Sequence, residues 1–264
     1  MYAFEYKRPA TVKDAVGAAS GDARYLAGGQ SLVQSMRLRL ASAPTLVDLG
    51  GIAELRSIQV DGNAVTIGAM TTHASVARSR EVADAIPALA ELAAGIGDPM
   101  VRNMGTIGGS IANADPAADY PAAVLGLDAT IETDRRSIAA ADFFKGLFET
   151  ALEPGEMIRA VRFPIVRQAA YQKLRQPASR FALVGVFVAN GPNGPRVAVT
   201  GAGPSVFRVT EMENALKGNF GPDAINGIQV PATGLNSDLH GSAEYRAAMI
   251  GVMAKRALTV AASR

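Results

Sequence analysis

The 264-residue chain contains no cysteine. That excludes disulfides, a thiolate nucleophile, Cys-ligated zinc and any iron–sulfur cluster held through these residues. Histidine is nearly as scarce, with His73 and His240 the two present. A His-rich metal site or a Ser-His-Asp triad would have to use one of that pair. No apolar run approaches the roughly 18 residues that mark a transmembrane helix. Met1 to Pro9 is mixed polar and aromatic and lacks a signal-peptide core. A soluble cytoplasmic protein without a membrane span is the expectation. Charge of one sign is lacking too: Lys plus Arg number 26 against 24 for Asp plus Glu, a net +2 that argues against nucleic acid as a partner despite a pI near 9.0. What remains, 48% hydrophobic and 19% charged residues, is ordinary globular composition, and the length fits one or two domains.

The first two thirds of the chain alternate helix and strand patterns. A helix is predicted over Thr11–Ala19 with Thr11 as cap, a strand at Arg24–Ala27, a helix over Leu32–Leu40 stopped by Pro44, and a strand at Thr45–Leu49. Ser57–Val60 and Ala64–Ile67 flank Asp61-Gly62-Asn63 as a hairpin. A helix-rich stretch runs over Thr72–Ala94, and Gly95–Ala118 reads as a long glycine-punctuated loop. Tyr120–Leu127 is predicted helical, Ala129–Thr133 a strand, Ala139–Lys145 a helix and Met157–Phe163 a strand. Pro164–Ala169 is the candidate domain boundary. Beyond it, Phe181–Ala189 and Arg196–Thr200 form an antiparallel hairpin around Gly191–Pro195, and helices are predicted near Val209–Lys217 and Ser242–Ala262. The last carries Tyr245, Met249, Val252, Met253 and Leu258 as an apolar stripe.

Two glycine-rich segments are the candidates for chemistry. Ala27-Gly28-Gly29-Gln30-Ser31-Leu32 lies between a strand and a helix. Paired glycines let the backbone approach a ligand, and successive N–H groups backed by a helix N-terminus suit a phosphate or pyrophosphate. A structural strand-to-helix turn capped by Ser31 fits the same residues. Thr106-Ile107-Gly108-Gly109-Ser110 is the second, followed by Asp115 and Asp119. Asp119 is either an acceptor for ribose hydroxyls or, like Asp115, a helix-start residue ahead of Tyr120. Neither segment is a G-x-G-x-x-G or a G-x-x-x-x-G-K-[ST] fingerprint, and Gly201-Ala202-Gly203-Pro204 lacks the third glycine.

Taken with Gly68–His73, Gly97–Ser110, Phe143–Gly146, Leu152–Glu156 and Lys173–Arg180, these segments resemble, in order and over nearly the whole chain, the FAD-binding medium subunit of molybdenum-containing hydroxylases, the aerobic carbon monoxide dehydrogenase and xanthine dehydrogenase family. The resemblance implies an α+β fold: a two-lobed FAD-binding domain of the vanillyl-alcohol-oxidase/para-cresol-methylhydroxylase type over residues 1–165, with lobes of about 1–55 and 56–165, then a smaller C-terminal α+β domain with an antiparallel sheet over 168–264. It implies FAD held by Leu26, Ala27, Gly28, Gly29, Gln30, Ser31, Leu32 and Val33 at the pyrophosphate, and by Thr106, Ile107, Gly108, Gly109 and Ser110. Asp119 and Ile158 fall on adenosine-contacting positions, Ile96 beside the adenine, and Arg175 near the flavin. Many relatives carry His where Gln30 stands; glutamine retains a side-chain donor. Phe181 either lies over a flavin face or opens a buried strand. His73 falls in a family segment of the second lobe, where a hydrogen-bonded loop-to-helix histidine is the plainer role; His240 is expected at the surface, and Met100 and Met104 in packing.

The resemblance also implies a role in electron exit. The chain would be the FAD-carrying electron-transfer subunit of a multisubunit molybdenum hydroxylase, an oxidoreductase component that takes electrons from iron–sulfur clusters and passes them to an external acceptor. With no cysteine, the two [2Fe–2S] clusters are expected on a small iron–sulfur subunit and the molybdopterin cofactor on a large subunit, in a heterotrimer or a dimer of heterotrimers. No catalytic side chain and no metal ligand are expected here, because the isoalloxazine does the redox chemistry. A stand-alone FAD-dependent oxidase or reductase of the same flavin fold is the alternative.

Overall fold

A computed structural model describes residues 1–264 and shows an α+β protein built on three main sheets. The first is small and parallel. Strand β1 (Glu5–Lys7), helix α1 (Val12–Ala18), β2 (Arg24–Leu26), α2 (Leu32–Arg37) and β3 (Thr45–Asp48) follow in order, with β3 between β1 and β2. Thr11 caps α1 by accepting the Asp14 amide at 3.1 Å, as expected. Ala15 of α1 is buried against Val47 of β3, in a cluster that includes Leu49, Ile52 and Leu55.

The second sheet is antiparallel, in the order β4 (Ile58–Asp61), β5 (Ala64–Gly68), β10 (Ile158–Pro164), β6 (Thr130–Thr133), β7 (Ser137–Ala139). The β4–β5 hairpin turns at Gly62 as its sequence predicts. Between β5 and β6 lie six helices: α3 (His73–Arg78), α4 (Arg80–Ala85), α5 (Pro87–Ala94), α6 (Pro99–Met104), α7 (Ile107–Asn113) and α8 (Tyr120–Gly126). The expectation of one long loop over Gly95–Ala118 is therefore wrong. Asp98 accepts the Met100 and Val101 amides and Thr106 accepts the Gly109 amide, so two capped helices form despite the glycines. The predicted helix over Ala139–Lys145 shrinks to one turn, α9 (Ala140–Phe143), because Phe144 leaves it to pair in a two-stranded ribbon of β8 (Phe144–Gly146) and β9 (Glu149–Thr150).

The third sheet orders β11 (Ala169–Arg175), β12 (Ala182–Gly191), β13 (Gly194–Thr200) and β14 (Phe207–Arg208), all antiparallel. Side chains of β12 alternate between two cores: Val184, Val186 and Val188 face one, Phe187 and Ala189 the other. The first is covered by α10 (Thr210–Leu216) and α11 (Ala243–Ala262); the second is shared with α8, whose seven residues are all buried. On α11 the predicted stripe holds in part: Met253 and Leu258 are buried and Met249 packs against the same core. Tyr245 and Val252 are exposed, while Ile250, Met253, Ala254, Ala257, Leu258 and Ala261 are buried. Alanines form much of the real stripe because β11 and β12 approach closely there. No helix is long and apolar enough to cross a membrane.

Candidate functional site

A cleft of about 660 Å³ opens between the first two sheets and is walled by the β11–β12 connection. That volume suits a large organic ligand. One wall is the β2–α2 turn. A Cβ at Gly28 would lie 2.0 Å from the Met104 carbonyl oxygen, so the turn is pressed against the end of α6. Gly29 has φ +71°, a conformation favouring glycine. The Gly29 carbonyl accepts the Val33 amide at 3.1 Å and starts α2. The amides of Gly28, Gly29, Gln30 and Ser31 donate to no other backbone group, and Ser31 makes no side-chain cap. The turn thus keeps unspent donors on residues that line the cleft, and Ser31 does not cap α2 as a purely structural turn would have it do.

The second glycine segment is built differently. Thr106 is the N-cap of α7, and the amides of Ile107 and Gly108 are spent on the carbonyls of Thr71 and Ala69 at 3.1 and 2.9 Å. Thr106, Gly108, Gly109 and Ser110 line the cleft, but Ile107 points wholly into the core. Of the other expected site residues, Ala27 to Leu32, Ile96, Asp119 and Ile158 line the cleft. Leu26, Val33 and Arg175 do not: Leu26 packs toward Met36 and Leu46, Val33 lies against Gly29, and Arg175 is exposed. Phe181 is 46% exposed on the cleft wall, and β12 starts after it. It therefore opens no buried strand. Its loop is held by Gln176, whose side-chain oxygen accepts the amides of Ala178 and Ser179 at 2.6 and 2.7 Å.

The titratable groups around the cleft are mostly neutral or paired. Burial, with the charge of Arg102 beside it, lowers the His73 imidazole to about 4. Its Nδ1 is buried without a hydrogen-bond partner, so the expected hydrogen-bonded junction histidine is half realised: it does begin α3. Burial pushes the Tyr25 phenol up to about 12, and its hydroxyl donates to Gly155 O at 3.0 Å. Asp119 is buried and accepts from Tyr171 Oη at 2.5 Å and from Lys173 Nζ at 2.9 Å on both oxygens. Burial pushes its carboxyl up, while Lys173 and the Tyr171 hydroxyl pull it down. Arg24 and Arg180 add positive charge to the lining. Met100 and Met104, expected in packing, are 80% and 56% exposed, because α6 turns Val101, not the methionines, toward the cleft. His240 is exposed, as expected.

Sequence reasoning missed Arg24, Tyr25, Asn113 and Arg180 in the lining, and Lys173 behind Asp119. A signal for Lys173 existed: Tyr171, Lys173 and Arg175 alternate along one strand, which puts all three on one side.

Residues 2–166 match the family described as the FAD binding domain in molybdopterin dehydrogenase. The chain belongs to this family. It is 38% identical to the carbon monoxide dehydrogenase medium chain of Hydrogenophaga pseudoflava, over 99% of this chain and 98% of that one. It is 33% identical to the nicotine 6-hydroxylase medium subunit of Paenarthrobacter nicotinovorans, over 99% and 98%. Among solved structures, quinoline 2-oxidoreductase from Pseudomonas putida 86 superposes with a TM-score of 0.88 at 30% identity, covering 99% of this chain and 98% of that one. The α+β fold, the oxidoreductase class and FAD as the family's cofactor are thereby shown for this molybdopterin dehydrogenase FAD subunit. The cleft fits that cofactor on its own terms: unspent amides on a glycine turn that lines it suit a pyrophosphate.

Proposed function

We propose that this chain carries FAD in the cleft and serves as the electron-exit subunit of a molybdenum hydroxylase in the cytoplasm, assembled with a small iron–sulfur and a large molybdopterin subunit as a heterotrimer or a dimer of heterotrimers. On this reading residues 1–165 bind FAD and 168–264 form a supporting domain. The observation that carries the reading is the β2–α2 turn with four consecutive unspent amides from Gly28 to Ser31. Bound FAD supplies one- and two-electron redox chemistry, which lets it link single-electron clusters to other acceptors. This chain's residues bind and orient. The turn amides donate to the pyrophosphate, and the glycines let the backbone come within reach of it. Arg24 and Arg180 offset its charge, Ile96 and Ile158 offer apolar surface to the ring systems, and Phe181 shields the wall formed by the β11–β12 connection. Neutral His73 and Tyr25 add polar atoms without adding charge.

The test is flavin binding by the full chain, alone and co-expressed with its two partners. FAD should bind at one per chain in both preparations, and substrate turnover should require the partners. Gly28→Ala should weaken FAD binding tenfold or more, since its methyl would overlap the Met104 carbonyl. Titration by fluorescence quenching reads the affinity. Unchanged affinity in that variant, or a wild-type chain that takes up no flavin, would sink the assignment; turnover by the chain alone would favour a self-sufficient oxidase.

A further inference from the structure

Asp119 presents an electrostatic problem. It is 4% exposed at the wall of a cleft assigned to a dinucleotide whose pyrophosphate is anionic, so a bare carboxylate there would repel its ligand. The structure contains the answer one layer behind it. Lys173 Nζ lies 2.9 Å from both Asp119 oxygens and its side chain is 4% exposed, and Tyr171 Oη donates to Oδ1 at 2.5 Å. A carboxylate has about four acceptor directions. Oδ1 has both of its own filled, whereas Oδ2 has one filled and one open. The result is a charge-cancelled group that still accepts one hydrogen bond. Lys173 itself does not line the cleft.

Both donors come from β11 of the C-terminal sheet, while Asp119 precedes α8. The same junction is laced by further bonds. Thr200 Oγ1 donates to the carbonyls of Pro116 and Ala118 at 2.9 and 2.7 Å, and the Gly201 amide donates to Pro116 O at 2.7 Å. The loop that carries Asp119 is therefore fixed by the C-terminal sheet.

We propose that Lys173 is a positioning residue for the cofactor: by neutralising Asp119 from behind, it converts a buried anion into a neutral-field acceptor for a ligand hydroxyl, and so makes tight binding of an anionic dinucleotide depend on the docking of the C-terminal sheet. This inference rests on the FAD reading of the cleft. It explains why a carboxylate at this place is compatible with a pyrophosphate, and why the C-terminal sheet belongs to the site without supplying much of its lining.

The test uses the full chain stripped of flavin and titrated with FAD, with thermal melting of each apoprotein as a control. Lys173→Met should weaken FAD binding at least tenfold at pH 8. Asp119→Asn should weaken it less, and adding Asp119→Asn to Lys173→Met should recover most of the loss, because the unpaired carboxylate has gone. Lys173→Arg should bind within a few-fold of wild type. The binding should also acquire a pH dependence in Lys173→Met alone, tightening as pH falls and Asp119 takes up a proton. Facing Asp119 from β11 are Lys173, Tyr171 and Arg175, and on its own helix Tyr120 feels its charge; of these, Lys173 alone is changed in that comparison. A role confined to fold stability would lower melting temperatures without the rescue and without the pH dependence. Wild-type FAD binding with an equally tight Lys173→Met overturns this inference and leaves the flavin reading standing. A Lys173→Met loss that the double variant does not relieve overturns it as well, and a wild-type chain that binds no FAD overturns both.

Discussion

His73 is held against its ordinary chemistry. The ring is 5% exposed at the start of α3, lies 5.3 Å from the Tyr120 ring, and has Nδ1 unpartnered. Protonating it would put an uncompensated charge in a buried place next to Arg102, which is why its titration is lowered to about 4. An unfolded chain binds this proton near pH 6.5 and the folded chain only near pH 4, so below 6.5 acid favours unfolding. Between those limits the group removes roughly 3 kcal/mol of stability, and above pH 6.5 it contributes no slope. In His73→Phe the pH profile of urea unfolding should be flatter over that window than in wild type. Two parallel profiles would mean that His73 is not buried in its neutral form. Glu156 titrates in a lower window. Hydrogen bonds from Arg136 first, and from the Glu153 amide and Thr133, bring its carboxyl down to about 2, so its contribution persists to far lower pH.

Among the elements, α6 and α7 matter most to the cleft, and both are short helices that depend on their caps. Asp98 Oδ1 accepts the Met100 and Val101 amides at 2.8 and 2.9 Å, and Pro99 preorganises the first turn. The end of α6 supplies the carbonyl against which Gly28 is pressed, so the cap acts on the β2–α2 glycine turn through one helix. Asp98→Ala should cost about 1 kcal/mol of stability, read as a drop in melting temperature of a few degrees. It should also weaken FAD binding, since Met104 and Gly28 would lose their fixed separation. A variant with lower stability and unaltered flavin affinity would show that α6 and the turn are independent. Signals for these caps were present, since Asp98 before Pro99 and Thr106 before Ile107 are N-cap residue types, yet the glycines around them pointed to a loop. Capping and burial of Ile111 outweighed the modest helix penalty of Gly108 and Gly109.

At the scale of the whole molecule, the C-terminal sheet is fastened to the FAD-binding part by a shared core. Phe187 is fully buried, its ring stacks at 6.2 Å on Tyr171, and a Cβ on Gly126 of α8 would meet it at 2.8 Å. Phe187→Ala should destabilise the chain by about 3–5 kcal/mol through the cavity it leaves. It should also raise protease cleavage in the 164–169 connection between the sheets, which mass spectrometry of limited digests would locate; cleavage confined to other loops would show that the two parts do not separate there. Much of this molecule was legible in its sequence. The strand–turn–helix around Gly28, the β4–β5 and β12–β13 hairpins, and the glycine segments that mark the cleft come from local rules of backbone freedom, turn chemistry and two-residue alternation. Those rules act within a few residues, so a linear reading reaches them. The exposure of Tyr245 and Val252 on α11, the solvent exposure of Met100 and Met104, the orphaned nitrogen of His73 and the pairing of Asp119 with Lys173 were settled by tertiary structure. Each depends on which distant surface comes to lie opposite, and burial, desolvation and charge neutralisation are properties of that juxtaposition rather than of any residue type.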